Sequence, residues 1–295
     1  MMKKEYVEKI KEDNSWFWDE NKKYYLVATD DLDSLLSCLL ILKYRPAWEI
    51  AGFLDYRDGL YQRIDTIDEV DLINDDNVIY VDCSATRQGV KCISNHLTSI
   101  DGTIHNINDI NLNTLDNNYR DKHYFSKYNL STFLLLVSLF AEEGYEINNK
   151  VGRILSLCPD SAYKAYYQPD NFADAKVQKR YLLDVLELPE TYEVQHRKNK
   201  KDFDYIVRDQ NLHSKLYISD EGIRCEDYVD LEMICKYLCI DTDLSVLDGL
   251  YGMIKEVATK NETVEFMRNQ NMQHSRLNSF AIVGKNNCAY SYYLE

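Results

Sequence analysis

Residues 24–37 join an apolar strand to a helix through three carboxylates, and they read Tyr-Tyr-Leu-Val-Ala-Thr-Asp-Asp-Leu-Asp-Ser-Leu-Leu-Ser. Packing does not explain these acids, because mutual repulsion raises the energy of Asp30, Asp31 and Asp33 at one strand end. A divalent cation would remove that repulsion. Asp31 and Asp33 are two residues apart, so both can point to the same side of the strand end. The segment therefore predicts half of a metal site, or an acidic cap on the helix that Ser34 opens.

The order of strands and helices along the chain predicts an α/β fold. Apolar runs that lack a polar face are typical of buried parallel strands, and they occur at 24–29, 48–54 and 78–82. Helices are predicted at 3–20, 34–44, 131–143 and 148–157. The strand–helix–strand order favours a doubly wound, mostly parallel sheet.

A change in composition after Pro189 divides the chain into two predicted domains. A helical stretch at 172–188 is followed by a charged segment. We expect a first domain over 1–192, a linker over 193–204 and a smaller α+β domain over 205–295. The second domain is predicted to contain strands near 204–208 and 214–219, helices near 228–240 and 243–258, and a hairpin of 279–283 with 288–294.

The charge and the cysteines exclude several classes of protein. The 295 residues carry a formal net charge of −15. Nucleic-acid binders usually show a basic excess, so tight binding to duplexes is not expected. The eight cysteines form no C-x-x-C pair and are predicted to be reduced. No apolar run approaches the ~20 residues of a membrane span, and the first residues do not resemble a secretory signal, so we expect a cytoplasmic protein without membrane contact.

Further metal-ligating side chains follow other predicted elements. Asp82 stands alone after a strand, and carboxyl ends of strands face one crevice in an open α/β sheet, so it is expected beside Asp31 and Asp33. Asp160 follows a helix, and His96 ends a short apolar run. Four carboxylates and one imidazole suit Mn²⁺ or Mg²⁺ better than zinc.

The order of these motifs resembles that of the DHH phosphoesterase superfamily, which includes RecJ nucleases, oligoribonucleases and manganese pyrophosphatases. The resemblance covers residues 24–165, over half of the chain. The residues that carry it are Asp31, Asp33, Ser34 and Ser37 for D-x-D-(G/A/S)-x-x-S, Asp82 for the lone acid of the second motif, Asn95-His96 for the end of Asp-His-His, and Asp160-Ser161 for the Asp-Thr of the fourth motif.

The resemblance implies a catalytic domain over 1–192 that uses two Mn²⁺ or Mg²⁺ ions to hydrolyse phosphodiester or phosphoanhydride bonds. The implied substrates are short single-stranded oligonucleotides or nucleotides, attacked by a metal-activated water. The implied catalytic and metal-binding residues are Asp31, Asp33, Asp82, His96 and Asp160. In the C-terminal domain, His274 and Arg276 follow a pattern similar in spacing to the G-G-G-H loop associated with this family, so they are the implied substrate-binding residues.

Three alternatives stay open in the sequence. Thr29 or Val27 stands where family members carry a metal ligand, so a catalytically degenerate binding or scaffold protein in a replication or defence complex is the second hypothesis. His105 lies at the more usual distance from Asp82, but His96 is favoured because it directly ends an apolar strand. The C-terminal pattern lacks the three glycines of the family loop, so an ordinary polar turn explains it equally well.

Overall fold

The computed structural model describes residues 1–66, 70–103, 106–167, 174–269 and 277–294. Its strands are β1 (Tyr25–Thr29), β2 (Glu49–Leu54), β3 (Gly59–Arg63), β4 (Val78–Val81), β5 (Lys91–Ile93), β6 (Asp109–Ile110), β7 (Leu216–Ser219), β8 (Gly222–Cys225), β9 (Tyr251–Thr263), β10 (Ser279–Ala281) and β11 (Asn287–Tyr293). Its α-helices are α1 (Lys4–Asp13), α2 (Leu32–Tyr44), α3 (Leu112–Leu115), α4 (Arg120–His123), α5 (Thr132–Phe140), α6 (Lys150–Leu155), α7 (Asp174–Arg180), α8 (Pro189–Arg197), α9 (Lys200–Asp209), α10 (Leu231–Leu238) and α11 (Val264–Asn269). Within the described residues, no helix is both long and apolar enough to cross a bilayer.

Nine strands of the described residues form one mixed sheet, and β7 and β8 form a separate hairpin. The order across the large sheet is β10-β11-β9-β3-β2-β1-β4-β5-β6. The strands β2-β1-β4-β5-β6 are parallel, whereas β3, β9, β10 and β11 pair antiparallel. The α/β class predicted from the sequence is confirmed, and the parallel part contains the three apolar strands predicted at 24–29, 48–54 and 78–82.

The parallel strands and the first long helix are buried together. In β1, Leu26 and Val27 are fully buried. The helix α2 begins where Asp31 accepts a hydrogen bond of 3.1 Å from the backbone N–H of Ser34. Every residue of α2 from Leu32 to Leu42 is buried, and α5 is buried over its whole length and packs against α2. These two apolar helices therefore form a tightly packed layer on the sheet.

Most helices of the described residues lie on one face of the parallel strands. Their apolar side chains share a core with Leu26 and Ile79, whereas Val27 and Tyr80 point to the opposite face, which loop segments cover. Among the described connections between parallel neighbours, β1–α2–β2 is the one with a crossover helix. Residues 82–90, between β4 and β5, are too few for another. The arrangement differs in this respect from the predicted doubly wound sheet, which has helices on both faces.

The C-terminal strands extend the same sheet. β9 pairs with β3 on one side and with β11 on the other. The pairing of β10 with β11 confirms the predicted hairpin. The division into domains stays a prediction. The segment 193–204, predicted as a linker, lies in α8 and α9 apart from the turn at Lys198 and Asn199.

Two secondary-structure predictions in the C-terminal half are wrong. Residues 204–208 are helical in α9, because Asn199 and Asp202 form a capping box that starts the helix. Residues 251–258 were predicted as the end of a helix, but they belong to β9. The side of β3 that faces away from β2 explains this difference, because its hydrogen-bonding groups pair with β9 and only the tertiary structure brings the two strands together.

Candidate metal centre

Acidic side chains from three segments meet at the carboxyl ends of β1 and β4. The two strands are parallel neighbours, with Tyr25 opposite Val78, so their ends lie side by side. Asp31 follows β1, Asp82 follows β4, and Asp160 lies in a 3₁₀ segment after α6. One carboxylate oxygen of each acid lies within 4.8 Å of the other two. We call these three residues the acid cluster.

The three residues of the acid cluster differ in burial, from Asp82 in the protein interior to Asp160 at the surface. The side chain of Asp82 is 2% exposed and that of Asp31 is 28% exposed, whereas Asp160 is an exposed residue. A cavity of about 110 Å³ adjoins it, lined by Asp31, Leu32, Asp33, Asp160, Leu212, His213, Ser214 and Lys215. This volume is well above the ~10–15 Å³ that one water needs. The cavity therefore has room for a cation together with water.

Asp33 points at the start of α5, next to the acid cluster. Its Oδ2 accepts a hydrogen bond of 2.8 Å from the backbone N–H of Thr132, and its Oδ1 accepts one of 2.9 Å from that of Phe133. These N–H groups are among the donors that a helix start leaves without partners, and the positive end of the helix dipole favours a carboxylate there. The structure thus gives Asp33 a helix-positioning role beside the ligand role that the sequence predicted.

Two residues that sequence reasoning did not assign to the site support the acid cluster. The Thr132 hydroxyl donates a hydrogen bond of 2.6 Å to Asp82 Oδ1. Asn95, which precedes His96 in the motif, donates from Nδ2 to Asp160 Oδ2 at 2.9 Å and to the Leu130 carbonyl at 3.1 Å. The sequence indicated only that Ser131 and Thr132 begin the apolar helix, because serine and threonine are preferred at helix starts. It did not indicate the contact of Thr132 with Asp82.

His96 lies against Asp82 at the edge of the acid cluster. Its Nε2 is 3.3 Å from the backbone carbonyl oxygen of Asp82 and 3.8 Å from Oδ1 of the same residue. Burial lowers the pKa of His96, although the charge of Asp160 opposes this change. A neutral imidazole in this position can ligate a metal or accept a proton. The competing candidate, His105, lies outside the described residues.

Left-handed backbone conformations occur at two points of the acid cluster. Asp82 has φ 57°, Asp160 has φ 52° and the adjacent Ser161 has φ 55°. A non-glycine residue in this region costs on the order of 1 kcal/mol, and such strain concentrates at functional sites. The carboxylates of Asp82 and Asp160, which these turns carry, approach each other in the acid cluster.

Lys215, which precedes β7, reaches the carboxylates after β1. Its Nζ lies 3.1 Å from Asp30 Oδ1 and 4.0 Å from Asp31 Oδ2. The adjacent backbone N–H of Leu216 donates a hydrogen bond of 3.0 Å to the carbonyl oxygen of Asp30. No sequence pattern indicates this contact, because Lys215 stands 184 positions after Asp31 and no motif contains the lysine.

The pKa values of Asp31, Asp33 and Asp82 are higher than that of an isolated aspartate. Burial raises the pKa of Asp31 to about 7, and the charge of Asp160 adds to the effect although Lys215 opposes it. Burial and neighbouring carboxylates also raise the pKa values of Asp33 and Asp82 well above the usual range. A full set of ionised carboxylates is therefore unfavourable here without an additional positive charge.

The donor set fits a hard divalent cation. Mg²⁺ and Mn²⁺ prefer carboxylate and carbonyl oxygens, whereas zinc favours nitrogen and sulfur ligands. The acid cluster offers oxygens from three separate segments. Beside Asp160, Asn95 Oδ1 is buried and has no hydrogen-bond partner among the described residues. Oxygen ligands and an excess of negative charge are the two properties that a Mg²⁺ or Mn²⁺ site needs.

The remaining sequence candidates and the comparisons with known proteins add no further residue to the site. His274 and Arg276, the implied substrate-binding residues, lie outside the described residues. No protein-family model matches the chain, and no curated protein or solved structure is significantly similar to it. The relation to DHH phosphoesterases therefore stays a prediction from motif order.

Proposed function

We propose that this chain is a metal-dependent phosphoesterase of the DHH type, acting on short single-stranded oligonucleotides or nucleotides. The observation that carries the proposal is the approach of Asp31, Asp82 and Asp160 to within 4.8 Å, from three segments that follow the order of the DHH motifs. A Mn²⁺ or Mg²⁺ ion bound there would activate water and stabilise negative charge on a phosphoryl oxygen.

The protein residues around the acid cluster have distinct roles in this proposal. Asp31 and Asp82 would hold the cation at the closed end of the site, and the more exposed Asp160 would hold it at the open end. Thr132 orients the Asp82 carboxylate through its 2.6 Å hydrogen bond. His96 is available as a further ligand or as a proton acceptor, because burial lowers its pKa and keeps the imidazole neutral near pH 7.

The charge of the chain supports a small substrate. A formal net charge of −15 opposes the approach of a long polyanion, whereas a short one needs only local compensation. Lys215 and His213 line the cavity beside Asp31 and Asp160, so positive charge and hydrogen-bond donors are close to the cluster. Arg276, with His274, stays the proposed phosphate-binding group on the strength of its sequence pattern alone.

A catalytically degenerate binding or scaffold protein is the second candidate, and two contacts favour it. Both carboxylate oxygens of Asp33 already accept backbone hydrogen bonds from the start of α5. The Asp30 carboxylate is paired with Lys215. Acids that are compensated within the protein have less need of metal ions, so such a protein would bind phosphate-containing partners without hydrolysing them.

The two candidates differ in turnover with a divalent metal. The parent protein should be incubated with Mn²⁺ and, separately, with dinucleotides, cyclic dinucleotides, single-stranded DNA and pyrophosphate. We expect hydrolysis of at least one of these compounds, inhibition by a chelator and loss of activity in Asp82→Asn. A matched variant, Asp13→Asn, changes an exposed acid on α1 and should keep full activity. Binding of these compounds without hydrolysis, in a protein that binds Mn²⁺, would favour the second candidate.

A further inference from the structure

A positively charged side chain of the protein itself, that of Lys215, lies beside Asp30 and Asp31. We propose that the Lys215 ammonium takes the place of one of the two metal ions implied for this site, so that the centre binds a single divalent ion. The inference rests on the proposed metal centre, because it assigns the number of ions and the identity of the second positive charge.

Lys215 is directed at a carboxylate that would otherwise be uncompensated. The Asp30 side chain is 5% exposed, and its Oδ1 lies 3.1 Å from Lys215 Nζ. Removing such a buried carboxylate from water is unfavourable unless an opposite charge is near. The same Nζ lies 4.0 Å from Asp31 Oδ2. The ammonium therefore stands at the position where a metal ion would compensate the same acids.

The backbone holds Lys215 in this position. The N–H of Leu216 donates to the Asp30 carbonyl oxygen at 3.0 Å, which ties the start of β7 to the end of β1. On the preceding side, the Ser214 hydroxyl accepts a hydrogen bond of 2.9 Å from the backbone N–H of Asp227. The residues on both sides of the lysine are therefore fixed, unlike those of a surface lysine on a free loop.

The acids that remain suffice for one ion. The start of α5 compensates Asp33 through two backbone hydrogen bonds, and Lys215 compensates Asp30. The acid cluster is left with three carboxylates whose oxygens lie within 4.8 Å of one another. Three negative charges around one divalent ion are typical of a single oxygen-ligated site, whereas a second ion would have to displace the ammonium.

Asp31 connects the two positive charges. Its Oδ2 lies 4.0 Å from Lys215 Nζ, and the same carboxylate contributes an oxygen to the acid cluster. Lys215 also lines the cavity that adjoins Asp31 and Asp160. A phosphoryl oxygen in this cavity would meet a metal ion on one side and an ammonium on the other. Lysine serves as a point charge for phosphate in this way.

The number of Mn²⁺ ions tests the inference in the full-length protein. Equilibrium dialysis with metal analysis gives the stoichiometry, and electron paramagnetic resonance separates an isolated ion from a magnetically coupled pair. We expect one isolated Mn²⁺ in the parent and in Lys215→Arg. Lys215→Met removes the charge and keeps the apolar stem, so it should bind a second Mn²⁺ at millimolar concentration and show coupling. Lys200→Met is the control, because Lys200 pairs with Asp204 on the surface of α9.

The possible outcomes separate this inference from the proposed function. Two coupled ions in the parent would overturn the role of Lys215 and leave the phosphoesterase proposal intact. One ion in both the parent and a folded Lys215→Met, with unchanged affinity, would also overturn it. A parent that binds no Mn²⁺ would remove the metal centre and this inference together. Two ions or none in the parent would overturn the inference whether or not a variant folds, whereas for a parent that binds one ion the comparison with folded Lys215→Met decides.

Discussion

Thr132 donates a hydrogen bond of 2.6 Å from its hydroxyl to Asp82 Oδ1, which joins the first residue of α5 to the most buried acid of the cluster. The same helix turn offers two backbone N–H groups to Asp33. The start of α5 therefore orients two carboxylates at once, and its dipole supplies part of the positive charge that they need.

Removal of the Thr132 hydroxyl should weaken metal binding without unfolding α5. Thr132→Val keeps the shape of the side chain, and the N-cap of the helix, Ser131, is unchanged. Groups that orient metal ligands contribute ~10–100-fold to affinity, so we expect the dissociation constant for Mn²⁺, measured by calorimetry, to rise by at least ~10-fold. Thr191→Val, at a buried threonine on α8, is the matched control. Equal affinities in parent and Thr132→Val would show that Asp82 needs no such support.

Mn²⁺ should stabilise the native protein through the acid cluster. A ligand that binds only the folded state raises the free energy of unfolding, by about 2.7 kcal/mol at a concentration of about 100 Kd. We therefore expect millimolar Mn²⁺ to raise the melting temperature of the parent by several degrees and to have little effect on Asp82→Asn. If thermal unfolding of both proteins is insensitive to the metal, no such site exists.

Asp33 should contribute to stability through α5 in the absence of metal. Asp33→Ala leaves the buried N–H groups of Thr132 and Phe133 without their acceptor, at a cost of roughly 1–3 kcal/mol each. Relief of repulsion with Asp31 acts in the opposite direction, so a net loss of about 2 kcal/mol is expected in urea unfolding. Loss of the ordinary cap in Ser131→Ala should cost ~1 kcal/mol. A smaller loss for Asp33→Ala than for Ser131→Ala would contradict the helix-positioning role.

The metal-binding histidine can be identified by parallel substitution. His96 Nε2 lies 3.8 Å from Asp82 Oδ1, so it needs only a small movement to share an ion with that carboxylate. We expect His96→Ala to weaken Mn²⁺ binding by ~10–100-fold or more, at least the scale of a lost supporting group. His105→Ala should leave binding unchanged. The reverse pattern would assign the ligand to His105, whose distance from Asp82 along the chain is the more usual one.

The local parts of the site were predictable from the sequence. An apolar strand that ends in acids specifies both the buried strand and the position of its carboxylates, so Asp31 and Asp82 could be placed at neighbouring strand ends before the structure was known. Asp31 and Asp82 could be placed because each carboxylate lies within a few residues of the apolar strand that signals it. Asp160 was expected at the same site from the order of the motifs, and its carboxylate lies within 4.8 Å of the other two.

The long-range parts were not predictable. Lys215 meets Asp30 across 185 positions, and no local pattern distinguishes it from other surface lysines. The helix predicted near 243–258 overlaps β9, where Met253, Lys255 and Glu256 are good helix formers, yet β3 and β11 pair with this segment as neighbouring strands. Tertiary hydrogen bonding of this kind overrides local propensity.

The stability of the metal-free protein is expected to depend on pH through Asp31. Burial raises the pKa of Asp31 to about 7 in the folded state, whereas an aspartate in an unfolded chain has a pKa of about 3.9. Between these values the native state binds a proton that the unfolded state has lost, so the free energy of unfolding decreases as the pH rises. Asp31→Asn removes this titration, and it also relieves the repulsion that helps to raise the pKa values of Asp33 and Asp82.

A comparison of the parent with Asp31→Asn measures this contribution together with the relief of repulsion on Asp33 and Asp82. Burial lowers the pKa values of His96, His123 and His213, which adds stability as the pH rises towards ~6.5. Both proteins have these histidines, and in the parent their effect opposes that of Asp31. In urea unfolding with a chelator, the stability of Asp31→Asn should increase relative to the parent by up to ~1.4 kcal/mol per pH unit between about pH 5.5 and about pH 7. At about pH 7, saturating Mn²⁺ should make the parent more stable than Asp31→Asn, because the variant lacks one of the metal ligands. A constant difference between the two proteins at both pH values would mean that Asp31 titrates in the native state as it does in the unfolded chain.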